Sequence, residues 1–161
     1  MEEVIKPWFR FYGCVPETLD YPDCTMAEAV ENVAKKYPDY IAYDFMGKKT
    51  TYANAVKDII AAAKALKALG VKEDDRVTIC MPNTPQTVSM FYAANMVGAI
   101  ANMIHPLSSE NEIAFYLNDS DSKVAITLDQ FASLCLGALA EYKISWAVES
   151  KVIHTINLLR T

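Results

Sequence analysis

The stretch Val77–Ile104, VTICMPNTPQTVSMFYAANMVGAIANMI, decides the fold. Val77 to Met81 is a short apolar run stopped by Pro82, which reads as a buried strand. Thr84 then offers a side-chain oxygen to a helix N-terminus, and Pro85 suits a first turn where its missing N–H is not needed. The helix that follows ends near Gly98, and Ile100 to Ile104 is the next apolar run. Strand, helix and strand in so few residues make one βα unit, whose helix carries the chain back to start a parallel neighbour.

The same rhythm extends downstream. Ser109-Glu110-Asn111-Glu112 is a capping box opening a helix through Ile113 and Leu117. The turn Asn118-Asp119-Ser120-Asp121 returns the chain to a strand at Val124–Thr127, and a helix around Gln130 to Tyr142 precedes a last strand at Val152–Ile156. Strand starts expected at 77, 100, 123 and 152 are separated by 23, 23 and 29 residues. This spacing specifies an α/β fold with a mostly parallel sheet flanked by helices.

Upstream, Thr25-Met26-Ala27-Glu28 is another capping box. Met26, Ala29, Val30, Val33, Ala34 and Tyr37 follow at helical spacing until Pro38 stops the helix. Tyr40–Phe45, Gly47 and Thr50–Tyr52 read as a small hairpin. A second amphipathic helix carries Val56, Ile59, Ile60, Ala63, Leu66 and Leu69. Gly70 follows as its left-handed terminator, with Val71 as the hydrophobic partner. Residues 1–24, rich in aromatics from Trp8 to Tyr21, read as an extended arm packed along the domain; residues 25–161 read as a single α/β domain without an internal linker.

Composition narrows the function classes. The chain has 161 residues, 52% hydrophobic, with only 5 glycines and 7 prolines, which excludes disordered and collagen-like chains. A net charge of −5 argues against nucleic-acid partners. No Asp, Glu, Lys or Arg occurs between Arg76 and Glu110, yet Asn95, Gly98, Asn102 and the prolines interrupt that stretch, so no transmembrane segment is expected. Cys14, Cys24, Cys80 and Cys135 form no metal-spaced pair and read as buried free thiols, with a Cys14–Cys24 bridge as the alternative. With no basic and apolar leader after Met1-Glu2-Glu3, the expected location is cytoplasmic.

Chemistry is scarce. Ligands of parallel sheets sit beyond the carboxyl ends of the strands, which here are Pro82-Asn83-Thr84-Pro85, His105-Pro106-Leu107-Ser108-Ser109 and Leu128-Asp129-Gln130. Asn83 and His105 are the candidate substrate-pocket residues, since each can donate or accept towards a bound group. The competing reading makes Asn83 a turn former and leaves His105 satisfying a local carbonyl. His154 reads as a strand residue. Glu73, Asp74 and Asp75 read as a solvated turn partly neutralised by Arg76. No dinucleotide or phosphate-loop glycine pattern, nucleophile elbow or zinc-protease motif occurs, so no catalytic, cofactor-binding or metal-ligating residue is assigned.

Five pieces, in order, resemble the opening of the AMP-forming acyl-CoA synthetases, the adenylate-forming superfamily. They are Lys49–Tyr52, Ala68–Val77, Met81–Pro85, Val97–Pro106, and Leu117–Ser120 with Lys123–Thr127. The arm from Pro7-Trp8 to Tyr21-Pro22 resembles the start of bacterial long- or medium-chain fatty acyl-CoA ligases, and the resemblance runs from residue 7 to about 131.

The resemblance implies a partial N-terminal subdomain of the adenylate-forming fold. For a full-length relative it implies ATP, Mg and CoA as cofactors and a fatty acid or other carboxylic acid as substrate. Such enzymes convert the carboxylate to an acyl-adenylate, because AMP departs far more readily than oxide, and then pass the acyl group to CoA. The family's phosphate loop, adenine segment, ribose-binding Asp and C-terminal lysine have no counterpart here, so the chain alone is expected to be inactive and to need no cofactor. Apolar surface left open is expected to favour homo-oligomers. A non-catalytic interaction or ligand-binding module of the same fold is the alternative.

Overall fold

A computed structural model describes residues 6–128, together with the strand backbones at 145–149 and 156–157. After a 3-10 turn at Pro7–Phe11, the elements are α1 (Met26–Lys36), β1 (Ile41–Phe45), β2 (Lys48–Thr51), α2 (Tyr52–Ala68), β3 (Arg76–Cys80) and α3 (Pro85–Met96). Then follow β4 (Ile100–Ile104), α4 (Glu110–Asp119), β5 (Val124–Leu128), β6 (Ser145–Glu149) and β7 (Ile156–Asn157). β1 and β2 form an antiparallel hairpin, and the main sheet runs β4-β3-β5-β6-β7, parallel except for β7.

Local chemistry sets the element ends. Thr25 with Glu28 and Ser109 with Glu112 form complete capping boxes, and Thr84 caps α3 with Pro85 in its first turn. At the end of α2, Gly70 takes φ 82° and donates to the Lys67 carbonyl, while Val71 donates to Leu66 and is buried beside it. α3 ends the same way, with Gly98 donating to Asn95 and Ala99 to Ala94. At the end of α4, Asp121 takes φ 48° and donates to Asn118, and Ser122 donates to Leu117. Three successive helices thus hand the chain to a strand through one kind of turn, which satisfies their last carbonyls.

Five sequence expectations need correcting. The fourth parallel strand is Ser145–Glu149 rather than Val152–Ile156: Ile156 belongs to the antiparallel β7, and 150–155 lie outside the described residues. Starts at 76, 100, 124 and 145 give spacings of 24, 24 and 21, and the first two each hold a helix with its short connections. The expected helix at 130–142, Cys135 and His154 also lie outside the described residues. Tyr52 opens α2 instead of closing the hairpin, because the Thr51 hydroxyl accepts from the Asn54 amide and ends the strand there.

The arm leaves most of its aromatic rings exposed rather than packed on the domain. Its i→i+3 hydrogen bonds coil Pro7–Phe11, Trp8, Phe11 and Tyr21 are exposed, and Phe9 packs edge-to-face on Trp8 and Tyr12. Cys14 is exposed and Cys24 half-buried, both as free thiols; among the described cysteines, Cys80 alone matches the expectation of burial. Asp75 is neutralised by Lys123, 2.7 Å away, rather than by Arg76.

Alternation along the strands divides the core. Val77, Ile79, Val124 and Ile126 pack with Leu66 of α2 and Met90, Ala93 and Ala94 of α3. Cys80 and Ala125 point the other way, against Ile113 and Leu117 of α4. Helices therefore cover both faces of the sheet, with α2 and α3 on one and α4 on the other. On the α4 side, buried Thr78 bonds to Ser122 at 2.6 Å and accepts from Asn102 at 2.9 Å, so these polar groups are satisfied between strands.

Candidate functional site

β3 leaves the sheet towards α3, whereas its neighbour β4 leaves towards α4 on the opposite face. Adjacent parallel strands whose connections diverge open a crevice at their carboxyl ends, the place where α/β sheets bind ligands. A crevice of about 540 Å³ lies here, lined by Met81, Pro82 and Asn83 from the β3 side and by Met103, Ile104, His105, Pro106 and Leu107 from the β4 side. The two candidate side chains, 22 positions apart in sequence, are brought to one cleft.

Asn83 and His105 are both exposed at its rim. The His105 Nδ1 accepts the Leu107 backbone N–H at 3.2 Å, so its local partner is an amide rather than a carbonyl. An accepting Nδ1 places the proton of the neutral ring on Nε2. The rest of the lining is apolar, with neither carboxylate nor hydroxyl, so the crevice offers an amide and an imidazole edge beside a hydrocarbon wall. That equipment can orient a ligand but holds no activated nucleophile.

A second cavity of about 440 Å³ adjoins it and shares Asn83 and Met103. Tyr43 and Phe45 of β1 face Val88, Phe91 and Tyr92 of α3 across it. Burial pushes the Tyr43 phenol up from its ordinary range; the Thr50 and Ser89 hydroxyls oppose that, and the Asp58 charge reinforces it. Sequence reasoning missed this cavity, because it depends on the hairpin docking over α3, a contact between segments about 40 positions apart.

The sequence profile of AMP-binding enzymes matches residues 30–157, most of the chain. The protein belongs to the AMP-binding enzyme family. A long-chain-fatty-acid–CoA ligase of Bacillus subtilis is 35% identical over 125 residues, 77% of this chain but 22% of that protein. An oxalate–CoA ligase of Arabidopsis thaliana is 35% identical over 123 residues, 75% of this chain and 24% of that protein. Among solved structures, the N-terminal domain of FACL13 from Mycobacterium tuberculosis superposes with a TM-score of 0.72 at 27% identity, covering 79% of this chain and 34% of that one. A benzoate CoA ligase from Burkholderia xenovorans shares the fold, with a TM-score of 0.74 at 20% identity, covering 78% of this chain and 26% of that one. The chain thus corresponds to an N-terminal portion of an AMP-binding enzyme and spans about a quarter of the curated relatives' length.

A nucleoside triphosphate needs cations or a run of amides for its phosphates, yet no Lys or Arg lines either cavity. Among the described residues no group of three His, Cys, Asp or Glu side chains could hold a metal ion. The described residues do not fit ATP and magnesium. No helix among them is long and apolar enough to cross a membrane.

Proposed function

We propose that this chain forms the N-terminal part of an enzyme that activates a carboxylic acid, with a fatty acid first in order, and joins it to CoA. ATP and Mg serve that reaction in the complete protein. The chain itself contributes the parallel sheet and one wall of the acid site, the crevice between β3 and β4. The observation that carries this reading is the family match over residues 30–157 together with the apolar crevice at the sheet's switch point. Asn83 and His105 act there as positioning groups for the acid, and catalysis is left to residues elsewhere.

The purified chain, given ATP, Mg and a series of fatty acids, is expected to release no pyrophosphate. Release above a protein-free control overturns the assignment of a non-catalytic role. In a longer protein that carries the phosphate loop, His105→Ala or Asn83→Ala is expected to raise KM for the acid several-fold with kcat largely retained. An unchanged KM removes the crevice from the acid site.

The exposed thiol of Cys14 supports a reducing, cytoplasmic location, which fractionation of cells expressing the tagged protein checks. Exposed Ile100 and Met103 on β4, a strand with one neighbour among the described residues, support association of copies. A single monomeric species by light scattering at tens of micromolar counts against that association.

A further inference from the structure

Helix α3 carries no charged side chain and is apolar on two sides. Met90, Ala93 and Ala94 enter the core, while Val88, Phe91 and Tyr92 line a cavity on the other side. A helix that is apolar all round requires cover on both sides. The hairpin supplies part of that cover with Tyr43 and Phe45, and the space left between is about 440 Å³, within the size range of small-molecule sites. The cavity adjoins the crevice between β3 and β4, with Asn83 and Met103 as shared walls.

Most polar groups of the lining are spent within the protein. Asp44 lies between Tyr43 and Phe45 on β1, so its side chain takes the opposite face of the strand, and its Oδ1 accepts the Gly47 N–H at 2.9 Å. The Thr87 hydroxyl donates to the Pro82 carbonyl at 2.6 Å, and the Thr84 hydroxyl stands 3.0 Å from it at the helix cap. The Thr50 and Ser89 hydroxyls act on the Tyr43 phenol. The Asn83 amide and the Tyr92 hydroxyl are the lining groups left without a protein partner among the described residues. A charge entering between the four rings would lose its water and find no counter-charge, whereas a hydrocarbon gains by leaving water. Asn83, on the shared wall, is where a polar head can be met.

We propose that this cavity is a subsite for the uncharged hydrocarbon tail of an amphiphile whose polar head sits at Asn83 and points into the crevice. The tail subsite stands on the cavity alone; that the head is a carboxylate rests on the proposed function.

The test is an NMR titration of the full chain with 1-hexanol, 1-octanol, 1,8-octanediol and octanoate. Octanol is expected to bind at least about tenfold more tightly than hexanol, since each further buried methylene is worth roughly fourfold, and to shift the Tyr43 and Phe91 signals. The diol, whose far hydroxyl would be buried among the rings, is expected to bind several-fold more weakly than octanol. Val88 is 40% exposed, so Val88→Trp, which fills the cavity, and Val88→Asp, which sets a charge in its wall, are expected to fold, as circular dichroism checks. Each is expected to narrow the difference between octanol and hexanol, and should one fail to fold the other decides. The subsite is overturned by octanol binding no tighter than hexanol, by the diol matching octanol, by shifts that leave Tyr43 and Phe91 untouched, or by a difference that no folded Val88 variant narrows. Octanoate separates this outcome from the fate of the acid reading. Octanoate weakened several-fold by His105→Ala, with octanol unaffected, supports a carboxylate head in the crevice. Octanoate indifferent to that change, with the alcohols still dependent on chain length, supports the subsite and removes the acid from the crevice.

Discussion

The two ends of the same parallel strands are built differently. At the amino ends the chain is fastened. Asp75 takes hydrogen bonds from the Lys72 amide and the Lys123 ammonium, Asp74 donates its amide to Gly98, and Ile100 donates to Asp75. Helices α2, α3 and α4 all arrive there through turns that bury or bond the connecting residues. At the carboxyl ends the connections carry prolines, exposed Asn83, His105 and Leu107, and two adjoining cavities. The difference teaches that stability is concentrated where strands begin and binding capacity where they end, the division expected of parallel α/β sheets.

The sharpest way to break this comparison uses two leucines. Leu66→Ala, at the amino-end turn and 1% exposed, is expected to cost about 2–5 kcal/mol, because it removes buried volume from the main core. Leu107→Ala, at the carboxyl end and 72% exposed, is expected to stay within about 0.5 kcal/mol. Urea denaturation of both variants reads the contrast directly, and comparable losses would abolish it.

A smaller effect is expected at Gly98. Its φ of 78° suits glycine, and an added Cβ would stand 3.1 Å from the Glu73 Cγ. Gly98→Ala is expected to cost about 1–2 kcal/mol in the same assay, from left-handed strain and displacement of Glu73.

The smallest effect sharpens the comparison through pH. The hydrogen bond from Lys123, then that from the Lys72 amide, holds the Asp75 carboxyl below its ordinary value of 3.8. A pKa lowered by folding gives a contribution that is complete above the unfolded value and is lost as pH falls through the folded one. The wild-type denaturation midpoint should therefore drop on acidification below about pH 4. Asp75→Asn should flatten part of that drop, leaving the share due to Glu28 and Glu112, whose caps lower their pKa in the same direction. Asn83→Ala, at the opposite end, should leave the profile unchanged.

Much of the fold was legible because its signals span four residues or fewer. Both capping boxes, the Thr84–Pro85 helix start and the glycine terminators at Gly70 and Gly98 are contacts within single turns, and residue type identifies them. Asp121 was not legible as a terminator, since a left-handed aspartate resembles any other turn aspartate until its hydrogen bonds are seen. The shift from Val152 to Ser145 at the fourth parallel strand has a similar origin: short apolar runs are ambiguous, and pairing with β5 selects one of them. The candidate crevice was half legible. Strand-end position picked out Asn83 and His105, but the aromatic cavity, made by a hairpin over a helix, had no local mark.

By itself the sequence determined the capped starts of α1, α3 and α4 and the first three parallel strands, because those follow from backbone preferences and apolar spacing. The tertiary structure decided that β3 lies between β4 and β5, that α3 and α4 take opposite faces, that Lys123 rather than Arg76 neutralises Asp75, and that Asn83 and His105 share one crevice. Strand order and side-chain partnership are settled by which faces bury against each other, a choice made by the whole core rather than by any single segment.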